Sequence, residues 1–220
     1  ETLQHLENAA KAAHRPTPAL LAVSKLQPAS AAAELARAGQ RAFGENYVQE
    51  AQAKIGELAG MDLEWHLIGH LQSNKAELAA HLFDWVQTVD RHKLIGALSR
   101  YRPADRAPLN VLVQVNIDDE ASKHGCRPEE VAGLAEAIAA EPRLRLRGLM
   151  AIPAPHPDTA RRIDAFRRMQ ALQDQLAAKH PGVDTLSMGM SDDYALAVAH
   201  GATMVRIGTA LFGARPARTA

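Results

Sequence analysis

Short apolar and β-branched runs alternate along this chain with longer segments whose apolar residues recur at three- and four-residue steps. The first pattern, with its period of two, predicts strands over 20–25, 41–45, 64–69, 85–89, 109–116, 146–152, 185–188 and 204–208. The second predicts helices over 29–38, 48–58, 75–82, 93–100, 129–140, 159–179 and 192–199, with an extra helix over 1–13 before the first strand. In 159–179, Ile163, Phe166, Met169, Leu172 and Leu176 form one apolar stripe opposite Arg and Asp. Strands alternating with crossover helices imply parallel βα units. No Gly/Ser-rich linker divides them, so residues 1–220 are read as one domain. A closed (β/α)8 barrel of the TIM type fits better than the alternative, an open doubly wound sheet.

Composition narrows the function classes without changing that fold. The 220 residues are 47% hydrophobic and 23% charged, which argues against disorder and coiled coil. The 25 Lys and Arg cancel the 25 Asp and Glu, leaving no long-range field to gather nucleic acid or anionic lipid. The one cysteine, Cys126, can form no intramolecular disulfide and suggests a reducing compartment. No run approaches the ~20 apolar residues of a membrane span, and no basic region followed by an apolar run opens the chain. A cytoplasmic monomer is the expectation.

In such a barrel, chemistry gathers at the C-terminal ends of the strands. The first strand ends on Lys25, which shares a face with Leu21 and Val23. An amine among apolar walls becomes nucleophilic towards a carbonyl carbon, although a lysine leaving the rim for solvent fits this segment as well. Two glycine-bearing turns close the chain. Ser187-Met188-Gly189-Met190-Ser191-Asp192 runs from a strand into a helix with Ser191 expected as N-cap, and Arg206-Ile207-Gly208-Thr209 repeats the pattern. Adjacent helix starts after the seventh and eighth strands are where barrels commonly hold a phosphate. Arg206, sharing a face with Met204 and Gly208, points inward and needs an acceptor, for which a ring nitrogen or a carboxylate would serve.

Ala22-Val23-Ser24-Lys25, Phe43-Gly44-Glu45-Asn46-Tyr47, Trp65-His66-Leu67-Ile68-Gly69, Leu71-Gln72-Ser73-Asn74-Lys75, Val115-Asn116-Ile117 and Gly148-Leu149-Met150, with the runs 186–192 and 205–213, closely resemble the pyridoxal phosphate homeostasis protein family. The resemblance spans about 20 to 215. It implies a barrel similar to the alanine racemase N-terminal domain, with pyridoxal 5′-phosphate held as an imine on Lys25. It further implies phosphate contacts from Ser191, Gly208 and Thr209, Arg206 facing the pyridine nitrogen, and Asn46 lining the pocket. The sequence departs from the family pattern at His70, where proline is common, and at Leu26-Gln27. The implied role is buffering and carrying the cofactor for apo-enzymes, with little or no catalysis. A fixed cation at the ring nitrogen weakens the electron sink, and the tyrosines Tyr47, Tyr101 and Tyr194 all lie inside the barrel sequence, with no second domain expected to bring another base. The alternatives are a small amino-acid racemase, or a barrel for another phosphorylated metabolite in which Lys25 has no covalent role.

Weaker signals read as structure. His66 and His70 lack the glutamate of the zinc-protease motif, so no metal site is expected. Asp118-Asp119-Glu120 reads as solvated loop acids, Lys123 as a rim lysine or a second cofactor acceptor, Arg143, Arg145 and Arg147 as a polar strand face, and Cys126 as inert.

Overall fold

The computed structural model describes residues 1–120 and 124–213. Helix α1 (Thr2–Ala12) precedes a regular alternation. Its strands are β1 (Ala19–Val23), β2 (Ala42–Glu45), β3 (Glu64–Leu67), β4 (Trp85–Val89), β5 (Leu109–Gln114), β6 (Leu144–Met150), β7 (Thr185–Ser187) and β8 (Met204–Ile207). Between and after them run α2 (Ala29–Arg37), α3 (Val48–Glu57), α4 (Ala76–Leu82), α5 (His92–Tyr101), α6 (Val131–Ala139), α7 (Thr159–Lys179), α8 (Tyr194–Ala199) and α9 (Thr209–Phe212). The strands are parallel and close in chain order, with β8 pairing β1 through Leu21 opposite Arg206 and Ala22 opposite Ile207.

The closed (β/α)8 barrel expected from the alternation is the fold observed. The larger apolar core lies between strands and helices, where Ala22, Phe43, Leu67, Val86, Val111 and Val205 meet Ala32, Ala51, Ala79, Leu98, Leu134 and Phe166. Small alanines on α2 and α4 let those helices pack closely on the sheet. Residues one step along each strand fill the barrel interior instead: Leu21, Ile68 and Met204 form one cluster, and Trp85, Leu112 and Met150 another.

Several expected strands end earlier than their apolar runs. Ser24 and Lys25, Ile68 and Gly69, Val115 and Asn116, and Gly208 lie beyond the last ladder pairs. They are the residues at which the chain leaves the sheet to build the mouth. Helix α7 matches its expected bounds, capped by the Asp158 side chain accepting from the Ala160 N–H at 2.8 Å. Helix α8 starts at Tyr194 with Asp193 as N-cap, correcting the expectation that Ser191 caps it. The Asp193 carboxylate reaches back to accept from the Met190 N–H at 2.7 Å, which spends residues 190–193 on a turn.

Candidate functional site at the barrel mouth

All six residues singled out as candidate ligands converge. Lys25, Asn46, Ser191, Arg206, Gly208 and Thr209 line one cavity of about 260 Å³ at the C-terminal ends of the strands, with Val23, Ile68 and Ile152 as its apolar wall.

Lys25 sits on a tightly held turn. Leu26 after it adopts a left-handed φ of 61°, unusual for a bulky residue, and its N–H donates to Glu50 Oε1 on α3 at 2.5 Å. Below the turn lies a buried cluster that no sequence signal marked. Lys54 Nζ reaches Glu45 Oε1 at 2.5 Å, the Ser24 carbonyl at 2.7 Å and Glu50 Oε1 at 3.3 Å, while the Ser24 hydroxyl donates to Glu45 Oε1 at 2.5 Å. Glu45 is 0% and Lys54 4% exposed. Burial pushes the Glu45 carboxyl up from its ordinary value, and Lys54 and Ser24 pull it partly back. The cluster thus ties the end of β1, the end of β2 and α3 into one unit beneath Lys25.

Arg206 is the terminus of a second buried network. Its Nη1 donates to Ser187 Oγ at 2.7 Å and its Nη2 to the Ala151 carbonyl at 2.8 Å. The Ser187 hydroxyl donates to Gln87 Oε1 at 2.7 Å, and Gln87 Nε2 lies 2.9 Å from His66 Nδ1. Because the amide oxygen accepts from Ser187, its NH2 faces His66, so the imidazole proton sits on Nε2 and is given to Glu64 Oε1 at 2.8 Å. Every donor in the chain therefore points away from the mouth, towards a carboxylate at the opposite end of the barrel. Desolvation lowers Arg206 to about 10, leaving it cationic at neutral pH, and burial lowers His66, which stays neutral. The inward arginine expected from the sequence is present; two of its five N–H donors are taken up by protein acceptors.

The surrounding turns are shaped by close packing. A Cβ at Gly69 would lie 2.1 Å from the Asn46 carbonyl oxygen, so this glycine lets β3 approach and fix Asn46 at the rim. Gly189 has a φ of 95°, and a Cβ there would meet Ala197 Cβ at 2.6 Å, so it serves the packing of α8. Gly208 has an ordinary φ, and its missing Cβ faces the Val23 carbonyl at 3.3 Å. Thr209 opens α9, whose first N–H groups have no intrahelical acceptor.

His66 and His70 do not meet: His66 is buried in the barrel, whereas His70 is exposed at the mouth, stacked on His124 at 3.6 Å between centroids. Asp118 holds the neighbouring loop by accepting from the Ala154 N–H at 2.6 Å. Arg147 forms a two-point pair with Asp184 and stacks on Trp85. Buried Cys126 has its thiol pushed up to about 12, consistent with an inert role. Lys123 lies outside the described residues. Among the described residues no helix is long and apolar enough to cross a membrane.

A parallel barrel with a lysine after its first strand and an inward arginine on its last defines a class, and residues 2–216 match the family model for the alanine racemase N-terminal domain. The chain belongs to that family and, within it, to the pyridoxal phosphate homeostasis proteins. The protein so named from Haemophilus influenzae is 55% identical over 218 residues, covering 96% of this chain and 92% of the relative. That from Escherichia coli K12 is 56% identical over 199 residues, covering 89% and 85%. The solved structure of PipY from Synechococcus elongatus with PLP bound superposes with a TM-score of 0.82 at 37% identity, covering 96% of this chain and all of that one, 100%.

Proposed function

We propose that this protein binds pyridoxal 5′-phosphate as an imine on Lys25 and takes part in intracellular PLP homeostasis as a cytoplasmic, monomeric carrier, with residues 1–220 acting as one barrel domain. The observation that carries this reading is the convergence of Lys25, Asn46, Ser191, Arg206, Gly208 and Thr209 on one cavity. The donor set fits the cofactor: an amine for its aldehyde, a buried guanidinium for its ring nitrogen, and N–H and hydroxyl groups of two adjacent turns for its phosphate. The names of the relatives and the PLP-bound PipY structure support the same assignment.

When bound, the cofactor supplies an electrophilic carbon and a ring able to accept electrons. Arg206, cationic and directed by Ser187 and Ala151, opposes protonation at the ring nitrogen and so restrains the second property. The described cavity lining contains neither tyrosine nor histidine to serve as a proton-transferring base opposite Lys25. Capture with little or no turnover, and delivery to PLP-dependent apo-enzymes, is the role that suits this arrangement.

The test is α-proton exchange of common amino acids by the holo-protein in heavy water, run beside transfer of PLP to an apo-enzyme. Background exchange with measurable transfer supports the carrier. Exchange on the order of 1 per second or faster would replace it with the racemase reading.

A further inference from the structure

We propose that His70, Asp90 and His124 form a binding site for one divalent transition-metal ion of the zinc or nickel class at the rim of the barrel. The three residues come from three consecutive connections. His70 follows β3, Asp90 follows β4, and His124 lies beyond β5. One donor atom from each lies within 4.8 Å of the other two. Tetrahedral zinc with bonds of about 2.0–2.2 Å holds its ligand atoms roughly 3.3–3.5 Å apart, so closure needs only side-chain rotation. Both imidazoles are exposed and can rotate.

Their backbones, by contrast, are fixed. His70 follows Gly69, which packs against Asn46, and His124 is two residues before Cys126, whose N–H donates to the Gln114 carbonyl at 2.9 Å. Asp90 is oriented from both sides, Oδ1 by Arg91 Nη1 at 2.6 Å and Oδ2 by the Gly125 N–H at 3.3 Å. Supporting hydrogen bonds of this kind aim a ligating carboxylate, and each oxygen keeps a further lone pair. Two imidazoles with one carboxylate select borderline transition metals over calcium or magnesium, which prefer all-oxygen shells.

The cluster adjoins the cofactor cavity without belonging to it. His70 and His124 line a groove with Gln114 and Asn116 that shares Asn46, Ile68 and Ile152 with the cavity at Lys25. A metal ion there would sit beside the route into the mouth. The site does not depend on the reading of Lys25.

Calorimetric titration of the holo-protein with zinc chloride tests the proposal. Wild type and the control His81→Ala should bind one equivalent alike, whereas His70→Ala, His124→Ala and Asp90→Asn should each bind at least tenfold more weakly. Unfolding midpoints in the same buffer identify any variant that fails to fold, and the near-isosteric Asp90→Asn then carries the comparison. Absence of saturable binding at one equivalent, or wild-type affinity in folded His70→Ala and His124→Ala, overturns the site.

Discussion

Arg206 Nη1 donates to Ser187 Oγ at 2.7 Å, and that single contact couples the barrel mouth to a polar chain running to Glu64 at the other end. TIM-barrel interiors are usually packed with branched apolar residues. Here Gln87, Ser187, Arg206 and His66 share that space with Met204 and Leu21, and hydrogen bonds link the four polar side chains in sequence. The direction of the chain keeps the Ser187 lone pairs, rather than its proton, turned to Arg206, so the guanidinium is held with its charge intact.

Gln87→Leu cuts that chain in the middle. It leaves the Ser187 hydroxyl and His66 Nδ1 without their shared partner. Each orphaned buried group costs about 1–3 kcal/mol, so urea unfolding should show a loss of roughly 2–6 kcal/mol. With Ser187 no longer anchored by Gln87, the acceptor that directs Arg206 is free to rotate, and affinity for PLP, read by fluorescence titration, should fall about tenfold, ~1.4 kcal/mol.

His66 gives stability a defined pH dependence. Its folded pKa is depressed from 6.5 by burial, so on acidification the unfolded chain takes up this proton first. Stability from His66 is therefore complete above about 6.5 and is lost as pH falls below it, by at most ~1.4 kcal/mol per pH unit. Glu64, lowered from 4.5 chiefly by its bond to His66, acts only in more acid solution. Urea midpoints between pH 5 and 7 should fall less steeply in His66→Gln than in wild type; equal slopes would show that His66 is not held neutral.

Gly69→Ala should act through Asn46. The added Cβ would lie 2.1 Å from the Asn46 carbonyl oxygen, and the nearest atoms it meets all belong to the Asn46 backbone, so the rim must shift. Overpacking of this kind costs typically 1–3 kcal/mol. Thermal denaturation and PLP titration should both report the loss, because Asn46 lines the cofactor cavity.

Lys54→Met removes the cation that Glu45 faces. Breaking a buried pair by deleting one partner costs about 3–5 kcal/mol, and the whole unit beneath Lys25 should loosen. The expected signature is a large drop in unfolding free energy with faster amide exchange at Leu26, whose N–H is held by Glu50 in the same cluster.

The barrel was readable from the sequence because its period-two runs and three- and four-residue steps are local properties of the chain. Lys25, Arg206 and the two closing turns were readable too, since strand ends mark the mouth. The Glu45–Lys54 pair was not: Lys54 sits on a helix whose charged residues look solvated, and only folding brings it under β1. The buried hydrogen-bonding roles of Gln87 and Ser187 were not legible for a related reason. A polar residue in a short apolar run can face solvent or the barrel interior, and closure of the sheet decides which. The N-cap of α8 was misplaced because Ser191 and Asp193 are both good caps two residues apart, and the Asp193 carboxylate turned back onto Met190.

Borohydride reduction followed by peptide mass spectrometry decides whether the cofactor is attached at Lys25. Reduction of the holo-protein should fix the cofactor on the peptide containing Lys25, with loss of the visible absorption band. Lys25→Ala should remain folded, since its side chain lies at the rim, and should carry no fixed cofactor there. A reduced adduct on Lys123 instead, with Lys25 unmodified in the wild-type protein, would contradict the assignment.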